Sequence, residues 1–323
     1  MKAIVNDRYG SPDVMELRDI DRPTLTEDGV LVCVRASSVN ALDWHTLRGK
    51  PYVARLDAGL RRPKAHVLGA DAAGVVEAVG ANVTHVKLGD EVFGSCLGSF
   101  AEYVNGRQFV TKPAALTFEE AAAIPTAGLT ALQGLRDKGA IRPGQHVLIN
   151  GAGGGVGTFA VQIAKAFGAE VTAATRADNA DVVRSLGADH FIDHTTQAIA
   201  RGQERYDLIL DVAGTQSMRS LRRALAPNGT IVIVAPGPGQ WIGPITRILG
   251  AVISSRFSAQ QTRPFLAGVN RDDLVVLKDL VEAGKVRPVI DRTYPLEAVP
   301  DAVRYVEAGG VRGKVAITVS AAP

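Results

Sequence analysis

Cysteine is almost absent: Cys33 and Cys96 are the only two among 323 residues, and they form no C-x-x-C pair. That excludes a disulfide framework and a cysteine-rich zinc site, and it fits a reducing compartment. The six histidines offer no pair at ligand spacing in the chain. A one-sided charge is missing too, with 36 Lys and Arg against 33 Asp and Glu, a net of +3, and the basic residues are scattered. Nothing in that balance calls for nucleic acid or an acidic membrane surface as a partner. No apolar run approaches membrane-spanning length, and the opening MKAIVNDRYGSPDVMEL carries no basic-then-apolar leader pattern. Repeats and low-complexity segments are absent as well. The expectation is a soluble chain in the cytoplasm.

Hydrophobic residues at 46% and charged residues at 21% are globular values, and the length suits about two domains, each with its own core. Up to about residue 123 the chain has short valine-rich runs, at 3–5, 30–36, 74–79, 91–93 and 100–104, separated by turn signals. That spacing predicts a β-rich domain. From Phe118 the text turns helical, with breakers at Pro125 and Gly128. Later, Leu274, Leu277, Leu280 and Val281 share one side of a helix that Gly284 stops. A terminal alternating strand, 314–319, is expected to return to the β-rich domain.

Residues 146–189 carry the strongest signal: a buried strand, a glycine turn, an apolar-faced helix and a second strand. Ala152, Gly154 and Gly157 fit A-x-G-x-x-G. A turn without bulky side chains lets backbone approach a pyrophosphate, and the helix after it aims free N–H groups at the anion. Gly154, Gly155, Val156 and Gly157 are therefore cofactor-binding candidates. Val156, Ala160, Val161, Ala164 and Phe167 recur at helical spacing and predict one face buried against a sheet. Strands at 147–150, 170–175, 191–193, 208–212, 230–235 and 251–257 complete the inventory of a doubly wound parallel sheet. The second strand ends in Thr175 and Arg176 where NAD-binding folds keep a carboxylate, which favours the 2′-phosphate of NADPH. Asp178 nearby weighs against that preference, and Arg176 as a plain solvated charge is the alternative.

Several separated motifs resemble the medium-chain dehydrogenase/reductase superfamily, specifically its zinc-free quinone oxidoreductase-like branch: VNALDW, residues 69–83, SFAEYV, AIPTAGLTAL, the glycine turn, RSLGAD, LDVAG, VIDRTYPL and RGKVAITV. The resemblance implies an α/β fold, with a doubly wound Rossmann domain at 125–263 and a GroES-like β-rich catalytic domain at 1–124 and 264–323. It implies no zinc, because Ala70 and Asn40 stand where zinc-dependent relatives keep His and Cys ligands. By the same resemblance Thr130 lies beside the nicotinamide, Phe257 closes over it, and Arg312 and Lys314 belong to a cation cluster that reaches the cofactor. Val212, Ala213, Ala235 and Pro236 follow strand ends, where such sheets bind ligands.

Asn40 and Tyr52 are the catalytic candidates, Asn40 as an amide that donates to a carbonyl or, as a cofactor contact, holds the nicotinamide, and Tyr52 as a phenol donor to developing enolate charge; a loop-capping asparagine and a packed tyrosine are their alternatives. Asp43 reads as a structural acceptor that orders the turn, and His45, beside Leu42, as a surface residue. The implied activity is NADPH-dependent hydride transfer to a quinone or α,β-unsaturated carbonyl, by an expected homodimer acting on small-molecule electrophiles. A zinc-free alcohol/ketone reductase and an NADPH-binding sensor without turnover are the competing readings.

Overall fold

A computed structural model describes residues 1–52, 55–199, 205–234 and 259–320. The chain divides into two compact units, one made of residues 1–129, 269–284 and 288–323, the other of 130–268 and 285–287. No helix among the described residues is long and apolar enough to cross a membrane.

The first unit is built on a seven-stranded sheet. Its order runs Ile290–Pro295, Lys314–Thr318, Val30–Val39, Asp71–Val79, Glu91–Ser95, Gln108–Thr111, with Tyr103–Gly106 also paired to Val30–Val39. The last strand of the chain does return here: Val315 pairs with Val39 and Thr318 with Ala36, antiparallel. That register sets Lys314, the first residue of its strand, beside the point where Val30–Val39 ends and Asn40 begins. Val32, Val34, Val76, Val92, Phe100 and Phe109 fill the core of this unit. A separate two-stranded ribbon joins Lys2–Val5 to Glu16–Asp19.

The second unit carries six parallel strands in the order His190–Asp193, Glu170–Thr175, His146–Asn150, Tyr206–Asp211, Leu225–Ile233, Gln261–Pro264. The order reverses between His146–Asn150 and Tyr206–Asp211, which makes the carboxyl ends of these two strands the switch point where doubly wound sheets take ligands. The sixth strand expected at residues 251–257 lies outside the described residues; among those described, Gln261–Pro264 pairs with Leu225–Ile233, Thr230 with Gln261 and Ile233 with Pro264. Its polar residues and terminal proline form no apolar run, so hydrophobicity did not mark it. One expectation needs correction. The helix Gly155–Ala166 is buried at every position from Gly157 to Ala164, not along one face. Gln162 shows why a polar residue survives there, since its amide bonds the Thr158 and Arg287 carbonyls and accepts from the Arg287 N–H.

Candidate functional site

At the carboxyl edge of the parallel sheet the glycine turn is held by backbone. The Gly151 and Ala152 N–H groups donate to the Ala174 carbonyl at 2.9 and 3.1 Å, and those of Val212 and Ala213 donate to the Asn150 carbonyl at the same two distances. The turn, the end of the second strand and Val212–Ala213 thus meet at one place. Each glycine has its own reason. Gly151 has a φ of +92°, and a Cβ there would reach Ala213 at 3.0 Å. On Gly157 a Cβ would come within 2.1 Å of the Gly151 carbonyl oxygen, and on Gly153 within 2.5 Å of the Asn179 amide nitrogen. Gly154 differs, because a Cβ there would meet only the Gly151 oxygen at 3.7 Å. The fold leaves this position open, at the N-cap of the helix Gly155–Ala166, where free N–H groups and the positive dipole end favour an anion.

Buried polar atoms surround this cradle. Asn150 donates to Asp211 at 2.7 Å, Asp211 also accepts from the Gly214 N–H at 3.1 Å, and Asn179 donates to the Thr175 hydroxyl at 3.2 Å. The amide oxygens of Asn150 and Asn179 are buried and find no hydrogen-bond partner among the described residues. Open backbone at Gly154 and unmatched polar atoms around it fit a dinucleotide. Thr175 is itself buried and accepts from Asn179, while Arg176 is half-buried with its Nε 3.5 Å from Asp178. The cation expected to meet a 2′-phosphate is therefore paired to the neighbouring carboxylate, the one departure noted in the sequence.

In the other unit, Asn40 is the N-cap of the helix Ala41–Arg48. Asp43 orders that turn, accepting the Asn40 N–H at 2.7 Å and the Gly69 N–H at 3.2 Å. Burial pushes the Asp43 carboxyl up to about 7, against the opposing effect of the Asn40 N–H, and the nearby Asp71 charge adds to the rise. The Asn40 side chain is not spent on the cap. Its Nδ2 donates to Asp71 at 2.8 Å and its Oδ1 accepts from the Lys314 ammonium at 2.5 Å. Asp71, fully buried, also accepts from the Ser38 hydroxyl at 2.9 Å and from Thr126, by N–H at 2.9 Å and hydroxyl at 2.6 Å. Lys314 Nζ lies 3.6 Å from Asp71. Burial lowers the Lys314 pKa, and the Asp71 and Asp43 charges resist that fall.

The structure thus brings together two residues the sequence named separately, Asn40 and Lys314. Lys314, expected among the cofactor contacts, is 3% exposed with its ammonium directed at Asn40 and Asp71. Asp71 and Thr126 were missed. The available signal was a charged residue inside the apolar run GADAAGVV, which the fold buries only with partners. Tyr52 is half-buried, its ring facing the Arg55 guanidinium at 4.8 Å. Thr130 is buried on the helix Pro125–Gln133, and Arg312 is exposed, with its N–H on Asp291 at 3.2 Å. Ala235, Pro236 and Phe257 lie outside the described residues. His45 is not a surface residue: it is half-buried, stacked on Trp44 at 3.6 Å, and burial lowers its pKa. The parallel strands also bring His146 and His190 to opposite oxygens of Glu170, at 3.0 and 2.6 Å, a grouping no chain spacing foretold. Among the described residues no three His, Cys, Asp or Glu side chains form a metal-holding group.

Residues 26–133 match the family model of an alcohol dehydrogenase GroES-like domain, and residues 186–317 that of a zinc-binding dehydrogenase. The 2-methylene-furan-3-one reductase of Solanum lycopersicum is 34% identical over 334 residues, covering 98% of this chain and 79% of its own. The chloroplastic NADPH-dependent alkenal/one oxidoreductase of Arabidopsis thaliana is 33% identical over the same length and coverage. Among solved structures, the quinone oxidoreductase from Coxiella burnetii superposes with a TM-score of 0.86 at 31% identity, over 99% of each chain.

Proposed function

The chain belongs to the medium-chain dehydrogenase/reductase superfamily, on its quinone oxidoreductase-like branch, and from that premise we propose that it reduces a quinone or an α,β-unsaturated carbonyl with NADPH, without zinc. The observation that carries the reading is the open backbone at Gly154 on the sheet's switch point, in a chain whose similar proteins bear the names of enone and quinone reductases.

When bound, NADPH supplies a hydride. The chain's part is to hold the dinucleotide and to receive negative charge on the acceptor. Gly154 and the first residues of the helix Gly155–Ala166, through Gly157, take the pyrophosphate, Thr175 and Arg176 face the adenosine end, and Val212 and Ala213 close the cradle. Thr130 and Arg312 are proposed as further cofactor contacts. An enone or quinone spreads incoming charge onto oxygen, so hydrogen-bond donors near that oxygen suffice in place of a strong acid or a Lewis-acid metal. Asn40 and Tyr52 are the proposed donors. Zinc independence is supported by the donor set, since an amide at Asn40 and a methyl at Ala70 are poor ligands. The protein is proposed to act as a cytoplasmic homodimer.

The test is a panel of quinones, enals, enones and saturated ketones, assayed with NADPH and NADH in parallel by loss of reduced-nicotinamide absorbance, before and after treatment with a chelator. Turnover of quinones or enones that survives the chelator and prefers NADPH is expected. No turnover across the panel, or turnover of saturated ketones alone, overturns the reading. Light scattering reports the oligomeric state.

A further inference from the structure

We propose that Lys314 is a positioning residue of the acceptor site: its ammonium locks the Asn40 amide in one orientation and polarises it as a hydrogen-bond donor. The inference rests on the reading of Asn40 as the donor to the acceptor oxygen.

Burying a lysine is costly, and an apolar side chain of similar volume would commonly pack at least as well. Here the ammonium lies in a 3% exposed position among Asn40, Asp71 and the Val39 carbonyl, the last at 3.4 Å. An ammonium has donors only, so it must face the oxygen of the Asn40 amide; an ionised carboxylate has acceptors only, so Asp71 must face the nitrogen. The two neighbours demand the same orientation, and the amide cannot flip without setting donor against donor and acceptor against acceptor. Asp71 is in turn fixed by Thr126 and Ser38. One Nδ2 hydrogen goes to Asp71 at 2.8 Å, and among the described residues the other meets only the Ser38 carbonyl at 3.5 Å, the outer limit of a hydrogen bond. That weakly held hydrogen is the one left for a carbonyl oxygen of the acceptor. A positive charge on Oδ1 withdraws electron density from the amide and strengthens its N–H groups as donors.

The experiment uses the full chain with NADPH and the best acceptor of the panel. Lys314→Met is expected to lower kcat about tenfold or more, with NADPH affinity, read by fluorescence titration, held within about twofold. Lys314→Arg, which keeps the charge and the donors, is expected to restore most of the rate, and Lys314→Gln, which keeps a donor without the charge, only part of it. Asn40→Ala should lower kcat comparably, and the Asn40→Ala/Lys314→Met pair should fall no further than either single variant, because both remove one interaction. Weaker NADPH binding with unchanged kcat at saturation would make Lys314 a cofactor contact and overturn the proposal. So would a wild-type kcat in Lys314→Met. If Asn40→Ala itself keeps full kcat, the assignment of Asn40 fails, a result distinct from failure at Lys314. Should Lys314→Met not fold, the contrast between the Arg and Gln variants decides.

Discussion

Thr126 binds one oxygen of Asp71 twice, by its backbone N–H at 2.9 Å and by its hydroxyl at 2.6 Å. It follows Pro125 at the start of the helix Pro125–Gln133, so the first donor comes from a helix end whose N–H groups have no intrahelical partner. Thr126→Val keeps the shape and the N–H bond but removes the hydroxyl from a buried carboxylate. Loss of one such charge-assisted bond is expected to cost about 1–3 kcal/mol, read from urea unfolding midpoints. A change below about 0.5 kcal/mol would mean that Ser38 and Asn40 already satisfy Asp71.

The glycine turn separates folding from binding. Gly157→Ala drives a Cβ into the Gly151 carbonyl and is expected to lower the melting temperature. Gly154→Ala meets only an ordinary contact at 3.7 Å, with φ at −87°, so its melting temperature should match the parent. Its dinucleotide affinity should fall at least about tenfold if the turn binds as proposed, because the methyl would then stand where backbone approaches a pyrophosphate. Unchanged affinity in Gly154→Ala would remove the turn from the binding site.

Asp43 imposes a pH dependence opposite to that of an ordinary ion-paired carboxylate. Its folded-state value of about 7 lies above the ~3.9 of an unfolded aspartate. The folded chain then holds a proton that the unfolded chain releases. The stabilisation is complete below about pH 4, declines as pH rises towards 7 and levels off above it. Asp43→Asn lacks this titration. Relative to that variant the wild type should lose on the order of 3 kcal/mol between about pH 4 and 7, followed by chemical denaturation across the range. Parallel pH profiles for the two proteins would rule the account out.

Arg176, proposed above to meet the 2′-phosphate, has Asp178 3.5 Å from its Nε. Arg176→Ala should weaken NADPH about tenfold and leave NADH nearly unchanged. Asp178→Ala releases the guanidinium and removes a repelling charge, so the NADPH-to-NADH preference should rise a few-fold, less so at high salt. The ratio of Kd values for the two nucleotides, titrated in parallel, is the measurement. Equal effects on both nucleotides would place Arg176 away from the 2′ position.

The parts legible in the sequence were those written in neighbouring residues. Glycine spacing, the strand before it and the helix after it are local, and they carried the turn, the helix Gly155–Ala166 and most strands of the parallel sheet. Alternation marked the terminal strand, and its return to the β-rich domain followed from its isolation, while its pairing with Val30–Val39 did not. Ala70 and Asn40 spoke against zinc only through the family resemblance, which places metal ligands at those positions. Gln261–Pro264 was illegible because its four residues contain no apolar run.

Tertiary structure alone decided which polar groups meet. Lys314 and Asn40 are 274 positions apart, and Thr126 and Asp71 55 apart. No periodicity links such pairs. A buried charge must find its counterpart or lose its charge, and which counterpart it finds depends on strand register: the pairing of Val315 with Val39 delivers the lysine to the asparagine.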